Sequence, residues 1–523
     1  MRALVETGVL SGEPGTYRLV TAMQVAQVPA TVQAILAARI DRLPPEDKTL
    51  LQTASVIGKD FPLALLRAIT AVSEDDLVGA LGRLQSAEFL YETQLLPDAE
   101  YTFKHALTHE VAYASLLRER RRTLHANVVD AIEHLYADRL AEYRDRLVHH
   151  AFRGEVWSKT LAYLRDLGEV ASPGEIDGVM NEGAENAGQL WWAGEHERAV
   201  KAAERSLAIA ASFGNFGLHV VARCRLGQAN HALGKYGRGA EIFRQTIASL
   251  HGDLVHEHFG MAAFPSVWSR SWLAWSLAER GEFTEGVAVC EEAARIAESA
   301  DHAYSRVQAA FGLGTLYVIQ GRADLAIPAL EQGLVVARLE NIRFLIPFIT
   351  GPLGAAYALA DQLDRSVALL EQTVEQAVTM RLMANHALRL VWLGQAYLLA
   401  GRRKDALNVA RRALQTAEER RETGQRAYAH CFLGDIAASA DEPDVPAAQV
   451  AYHEASGLAE ALAMRPLVAH YHLGLGTLCF RTGRLNEARE HLTIAETMYR
   501  EMQMRVWLEK AEVKKDSVIG QSR

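Results

Sequence analysis

His105, His109 and Glu110 put two imidazoles one helical turn apart beside a carboxylate, the spacing by which a helix offers two ligands to one metal ion. The sequence supplies no third ligand, and Phe103 and Tyr113 on either side favour a structural role, so no metal is expected. Phosphate chemistry fares no better. The only Gly-Lys pairs are Gly58-Lys59 and Gly234-Lys235, followed by Asp60 and Tyr236, and neither has a glycine five residues upstream. A P-loop needs both glycines and a following Ser or Thr to cradle phosphates, so ATP turnover by that route is not expected. HExxH, GxSxG and GxGxxG are absent as well, and no nucleophile, base and orienting group can be assembled. No catalytic residue, metal or cofactor is therefore expected. Cys224, Cys290, Cys431 and Cys479 lack CxxC spacing and read as small buried apolar residues in a reducing cytoplasm. His251, His256 and His258 read as solvated, and the arginine-rich run 118–122 as a solvated helix face.

What remains is a repeat. A helix-breaking Gly or Asp returns about every 40 residues, the period of a helical solenoid, at Gly154, Gly194, Gly234, Gly281, Gly321, Asp361, Gly401, Asp441 and Gly483. Seven residues before the marker the side chain is small at Ala187, Gly227, Ala274, Gly314, Gly354, Gly394, Gly434 and Gly476, with Leu147 the exception. Five residues after it Ala199, Gly239, Gly286, Ala326, Ser366, Ala406 and Ala488 are again small, with Pro446 and Lys159 the exceptions, so two antiparallel helices can pack closely. The expected fold is mainly α: a small winged-helix domain followed by a right-handed tetratricopeptide-like solenoid of about nine hairpins. The surplus between Gly234 and Gly281 lies in residues 249–265, as a longer second helix or a loop.

In such hairpins the first helix lines the concave surface. Offset from the marker then exposes Trp191, Trp268, Trp275, Gln308, Thr315, Gln395, Tyr428 and His470 as a candidate groove for a protein or small effector.

Ahead of the repeats, residues 1–27 hold a short hairpin-like stretch, Val9 to Leu19, and read as the tail of another domain. Residues 28–135 read as the winged helix. Apolar positions Val32, Ile35, Leu36, Ile40 and Leu43 mark one helix, and Leu50, Leu51, Ala54 and Ile57 a second. A capping box at Ser73–Asp76 opens another, before two strands around Pro97 and Asp98. The helix before that hairpin is read as carrying Glu74, Asp75, Asp76 and Glu88 against a lone Arg83 and would repel phosphate, so packing is expected there and not nucleic-acid reading. The net charge of −9 agrees. Residues 136–180 are assigned to a first degenerate hairpin and connector, 181–509 to the solenoid and 510–523 to a frayed tail. The uncharged run 344–360 contains Pro347, Gly351, Pro352 and Gly354 and falls on a repeat helix; no membrane association is expected.

The run Val28-Pro29-Ala30-Thr31-Val32-Gln33 with Ala37 to Pro44, then Tyr101 to Leu107 and Arg120 to His125, resembles the segment after the ATPase core in bacterial signal-transduction (STAND) ATPases. The nearest resemblance is to multidomain proteins joining a class III adenylate/guanylate cyclase domain to an AAA-type ATPase and a C-terminal tetratricopeptide-like array. Met464 to His470, Thr482-Gly483-Arg484 and Met498 to Met502 are similar to the last repeat of that array. The resemblance implies that Met1 lies near the end of the ATPase module, with its nucleotide-binding part and the cyclase upstream in a longer parent. It implies a cytoplasmic, non-catalytic sensor and scaffold. The alternatives are a fragment of an ATPase-type transcriptional regulator, for which residues after the last repeat leave no room for a helix-turn-helix, and a free-standing adaptor.

Overall fold

The computed structural model describes residues 10–11, 18–19, 32–70, 72–94, 99–154 and 186–521, with isolated positions between 156 and 163. The chain divides into two compact units, Met1–Val179 and Met180–Arg523.

In the first unit β1 (Leu10–Ser11) pairs antiparallel with β2 (Arg18–Leu19), in the stretch read as a hairpin. The rest of residues 1–27, including their assignment to an ATPase module, lies outside the described residues. Helices α1 (Val32–Asp41), α2 (Pro45–Ile57), α3 (Leu63–Ile69) and α4 (Glu74–Ser86) precede β4 (Leu90–Gln94) and β5 (Glu100–Phe103). Ser73 caps α4 by accepting the Asp76 amide, as its capping box predicts. Sequence reading missed β3 (Asp60–Pro62), which pairs with β5 and completes a three-stranded antiparallel sheet of order β3-β5-β4. Three residues are too few to show a period of two. Arg83 of α4 forks onto the buried Asp47 carboxylate of α2 at 2.6 and 2.8 Å, so the one cation of that helix is engaged in packing.

Helices α5 (Ala106–Ala114), α6 (Arg118–Leu135) and α7 (Arg144–Arg153) close the unit around a core containing Leu51, Phe61, Leu84, Phe103, Val128 and Leu147. The first repeat marker, Gly154, follows directly on α7. Gly154 is absent from the left-handed positions, and a Cβ there would lie 2.7 Å from the Ala126 backbone nitrogen. It is a close-approach glycine that seats α7 on α6. The connector that follows lies outside the described residues.

The second unit is an α-solenoid of antiparallel hairpins. Residues 186–192 are helical and fold back on α8 (His196–Phe213). Seven complete pairs follow: α9 (Phe216–Ala232) with α10 (Tyr236–Ser249), α11 (Pro265–Glu279) with α12 (Phe283–Ser299), α13 (Ala303–Gln320) with α14 (Ala323–Leu339), and α15 (Ile346–Leu359) with α16 (Leu363–Thr379). The series continues with α17 (His386–Leu399) and α18 (Arg403–Glu419), α19 (Thr423–Ala438) and α20 (Val445–Ala461), and α21 (Arg465–Arg481) and α22 (Leu485–Glu501). A final helix, α23 (Arg505–Gln521), covers the last pair with Ala511 and Val518 fully buried. The frayed tail is thereby corrected: apolar positions seven apart dock the segment despite its charge. The insertion 249–265 is a loop holding one 3-10 turn, Gly252–His256.

The markers work as the repeat requires at Gly194, Gly234, Gly281, Gly321, Asp361, Gly401 and Gly483, all with φ between 59° and 86°. Asp441 does not join them; the longer loop before α20 removes the need for a left-handed residue. The small position before the marker receives a large side chain from the partner helix. At Gly354 a Cβ would lie 2.5 Å from Leu370 Cγ. Gly354→Val should therefore cost about 2–3 kcal/mol in urea unfolding through overpacking. Gly457→Ala, at an exposed α20 position where a Cβ meets nothing within 4 Å, should gain about 0.5–1 kcal/mol.

The solenoid turns far enough for its late hairpins to pack on its early ones. Met383 N donates to Trp192 O at 2.8 Å, His196 Nε2 meets Glu422 Oε1 at 2.9 Å, and Tyr428 Oη donates to Glu279 Oε2 at 2.8 Å. The marker glycines of the first turn do double duty here. A Cβ on Gly194, Gly281 or Gly321 would strike Arg420, Met502 or Trp507, whereas Gly401 and Gly483 face nothing within 4 Å.

Candidate functional site

Closure of the superhelix decides what the inner face can do. Trp191, Trp268, Trp275, Gln308 and Thr315, expected on an open groove, are 1, 4, 2, 3 and 0 % exposed. Phe348 of α15 packs 6.1 Å from Trp191, Tyr428 of α19 shares the Glu279 carboxylate with Trp275, and a ring cluster fills the space. Trp191 and Trp272 meet at 5.4 Å, Trp272 and Trp275 at 5.2 Å, and Phe311 packs 5.4 Å from Trp275 and 5.8 Å from Phe348. The three other groove residues, Gln395, Tyr428 and His470, line a cavity of about 450 Å3.

Every wall of that cavity comes chiefly from a first helix. Glu279 ends α11, Val318 and Ile319 come from α13, and Ala355, Ala358 and Leu359 from α15. Trp392 and Gln395 stand on α17, Tyr428 and Asp435 on α19, His470 and Arg481 on α21, and Trp507 and Lys514 on α23. First helices are inner because their apolar residues run almost all round, as in α15, whereas α16 and α18 have one apolar stripe and a solvated face.

Two carboxylates punctuate this apolar space. Glu279 accepts from Trp275 Nε1 at 3.0 Å and from Tyr428 Oη at 2.8 Å, and burial raises its pKa to about 7. Asp435 accepts from Tyr452 Oη at 2.6 Å, and burial raises its pKa to about 6. Burial, with the neighbouring carboxylate adding, holds the Tyr428 and Tyr452 hydroxyls well above their ordinary value, so both remain donors. His470 Nδ1 lies 2.7 Å from Tyr499 Oη, and burial lowers its pKa to about 4, leaving a neutral ring. At the α23 end Arg481 donates to the carbonyls of Ala438 and Ala440, capping α19. The Lys514 pKa is lowered by desolvation and by the charges of Arg481 and Lys510. The site thus offers an apolar body with acid and base groups aimed inward, the composition of a small-molecule site. Sequence reasoning missed Glu279, Asp435, Trp507 and Lys514. Asp435 stands six residues before its marker, as Gln395 does, and that offset could have found it.

The metal pair is not assembled. His109 Nε2 sits 2.9 Å from Ser55 O, while His105 is exposed at the start of α5. A different trio, His125, His149 and His150, brings one ring nitrogen each within 4.8 Å of the others. His125 Nδ1 and His150 Nδ1 are already bonded to each other at 2.8 Å, and Arg121, Arg146 and Arg153 bias the surroundings against a cation. The trio fits a neutral hydrogen-bonded pair better than a metal centre. In the arginine run, Arg122 pairs with Glu119 at 2.8 Å and Arg121 lies over the Tyr113 ring. The four cysteines are free and buried, and among the described residues no helix is long and apolar enough to cross a membrane.

A tetratricopeptide-repeat family model matches residues 452–501, from the middle of α20 through the hairpin α21–α22. An uncharacterised protein of Rhizobium meliloti is 30% identical over 121 residues, which is 23% of this chain and 12% of that relative's length. Among solved structures, the chain is similar to a signal-transduction ATPase with numerous domains and a tetratricopeptide-repeat sensor from Pyrococcus horikoshii, at 11% identity and a TM-score of 0.39, over 94% of this chain and 68% of that one. It is also similar to a Rap protein complexed with competence and sporulation factor, at 12% identity and a TM-score of 0.45, over 66% of this chain and 98% of that one. The second unit is a tetratricopeptide-like helical solenoid.

Proposed function

We propose that the chain is a non-catalytic regulatory region of a signal-transduction ATPase, and that the cavity between Glu279, Asp435 and Trp507 is its effector site. One observation carries this reading: the superhelix closes on itself yet leaves about 450 Å3 lined by apolar side chains and a few inward polar groups. A packed core of this size keeps few voids larger than a water molecule, so an apolar space this large is matched to a ligand. The occupant is a small molecule or the end of a peptide, since the stacked turns leave the early inner face no open groove for a folded partner. Residues from α11, α13, α15, α17, α19, α21 and α23 meet on one ligand, so its binding would tighten contacts between the two superhelical turns. That change in the solenoid is the signal handed on. The N-terminal helices and three-stranded sheet are read as a winged-helix relay, and the cyclase-linked ATPase as the recipient in a longer parent, on the resemblance of their sequence segments. No nucleic acid is proposed as partner, and the place of action is the cytoplasm.

The test is a thermal-shift screen of the full chain against a metabolite and short-peptide library. A ligand present at about 100 times its Kd should stabilise wild type by about 2.7 kcal/mol. Ala358→Trp, which fills the cavity from its half-buried wall, should abolish that gain while folding normally. Equal stabilisation of the variant would place the ligand elsewhere and overturn the reading.

A further inference from the structure

We propose that the occupant of the cavity between Glu279, Asp435 and Trp507 is an elongated zwitterion, with an amine at Asp435, an acidic group at Lys514 and an apolar body between them. This deepens the effector reading and rests on it.

Two charged groups in the cavity wall are left open. Asp435 Oδ1 accepts from Tyr452 Oη at 2.6 Å, while Oδ2 accepts from nothing among the described residues and is accessible. Glu279 differs, since each of its oxygens already has a donor, Trp275 Nε1 or Tyr428 Oη. Lys514 is half-buried, and its ammonium makes no ion pair and no hydrogen bond among the described residues. The next residue, Lys515, is paired with Glu496 at 2.6 Å, and Arg481 of the same wall is engaged by the carbonyls of Ala438 and Ala440. Lys510 lies 4.4 Å over the Trp507 ring and has no carboxylate partner among the described residues either.

The two poles do not neutralise one another. The charges that act on Lys514 are Arg481 and Lys510, both positive, and with desolvation they lower its pKa. No cation acts on Asp435, whose pKa is raised to about 6 by burial and which is therefore mostly ionised at neutral pH. Water can hydrogen-bond at either end but cancels neither charge, and a ligand with one charge serves one end only. A ligand with opposite charges at its two ends serves both, through charge-assisted hydrogen bonds. Its body lies against Val318, Leu359, Trp392, Leu398 and Leu473. The separation excludes an α-amino acid. Asp435 and Ala438, whose carbonyl Arg481 reaches, are already about 4.5 Å apart along α19. Two or three residues of extended chain, at about 3.3–3.6 Å each, or an alkyl chain of that length, span such a gap.

The test is calorimetric titration of the full chain with two charge series. The first is ω-aminooctanoate, octanoate and octylamine; the second is tri-leucine with free ends, N-acetylated, and C-amidated. The zwitterion of at least one series should bind at least about tenfold more tightly than either singly charged analogue, the effect of one charge-assisted hydrogen bond. Lys514→Met should abolish the preference over octylamine and the amidated peptide. Asp435→Asn, which keeps an acceptor for Tyr452, should abolish the preference over octanoate and the acetylated peptide. Lys515→Met, whose ammonium is paired outside the cavity wall, should keep both preferences. Equal affinity across each series, lost in Ala358→Trp, would leave the effector cavity standing and overturn the zwitterion. Preferences unchanged in both pole variants, or no binding by any of the six probes, would overturn it as well; the effector reading would then rest on its own thermal-shift screen.

Discussion

Glu422→Ala should destabilise the solenoid by about 3–5 kcal/mol, the cost of breaking a buried pair by removing one partner. The carboxylate is fully buried at the N-terminus of α19, where one oxygen meets both His196 Nε2 and the Asn385 amide. Asn385 in turn accepts from Gln425 Nε2 at 3.0 Å. The three groups come from the first, sixth and seventh hairpins, so this network fastens one superhelical turn to the other. Alanine leaves an amide and an imidazole without partners in a place water does not reach. Arg421→Ala, one residue earlier, breaks an exposed pair with Glu197 across the same seam and should cost less than about 1 kcal/mol. Urea unfolding followed by circular dichroism separates the two; similar small losses would mean that the seam is not a stability element.

Acidification from pH 7 to pH 5 should cost the first unit about 3–4 kcal/mol, from two histidines whose folded pKa values are depressed. His125 and His150 share one Nδ1–Nδ1 hydrogen bond, in which one ring donates and the other accepts, and His125 Nε2 also meets Tyr113 Oη at 3.0 Å. Burial, with neighbouring imidazoles and arginines adding, lowers His125 to about 2 and His150 to about 3. Their ordinary value is 6.5, so the unfolded chain takes up protons first. The stability they contribute is full above pH 6.5 and falls as pH drops toward 3. His150→Gln, which keeps a hydrogen-bonding group without the titration, should remove about half of the loss. The readout is hydrogen exchange of residues 118–153 against pH; a flat profile between pH 7 and 5 would contradict the neutral pair. In the solenoid the signs are mixed. His231 and His386, both lowered to about 3 by burial, act in the same direction. Glu279 and Asp435 are raised, so their contribution is present at low pH and is lost as pH rises through about 6 to 7.

The repeat was legible because a left-handed turn and a close helix contact restrict residue type at fixed offsets. Gly321 with Gly314, and Gly401 with Gly394, are readable without coordinates for that reason. Gly154 shows the limit of the same signal, since glycine is also chosen for close approach, and only its backbone angle separates the two uses. The inner face was legible as a set of offsets but not as a surface. Curvature comes from small rotations summed over hairpins, and no local pattern shows that Trp191 and Trp275 will meet groups far along the chain. The same long-range closure hid Glu279, whose partner Tyr428 lies 149 residues away. The α23 helix was missed because its charges outnumber the two buried positions, Ala511 and Val518, that dock it.

The central claim is that the closed solenoid carries a small effector between Glu279, Asp435 and Trp507. Native mass spectrometry of the full chain, taken from its own cells without denaturation, tests it most directly. The account predicts a bound mass of metabolite or short-peptide size, at one per chain, that is lost on unfolding and absent from Ala358→Trp. A bare chain in both proteins, with no stabilisation by that same extract, would contradict it.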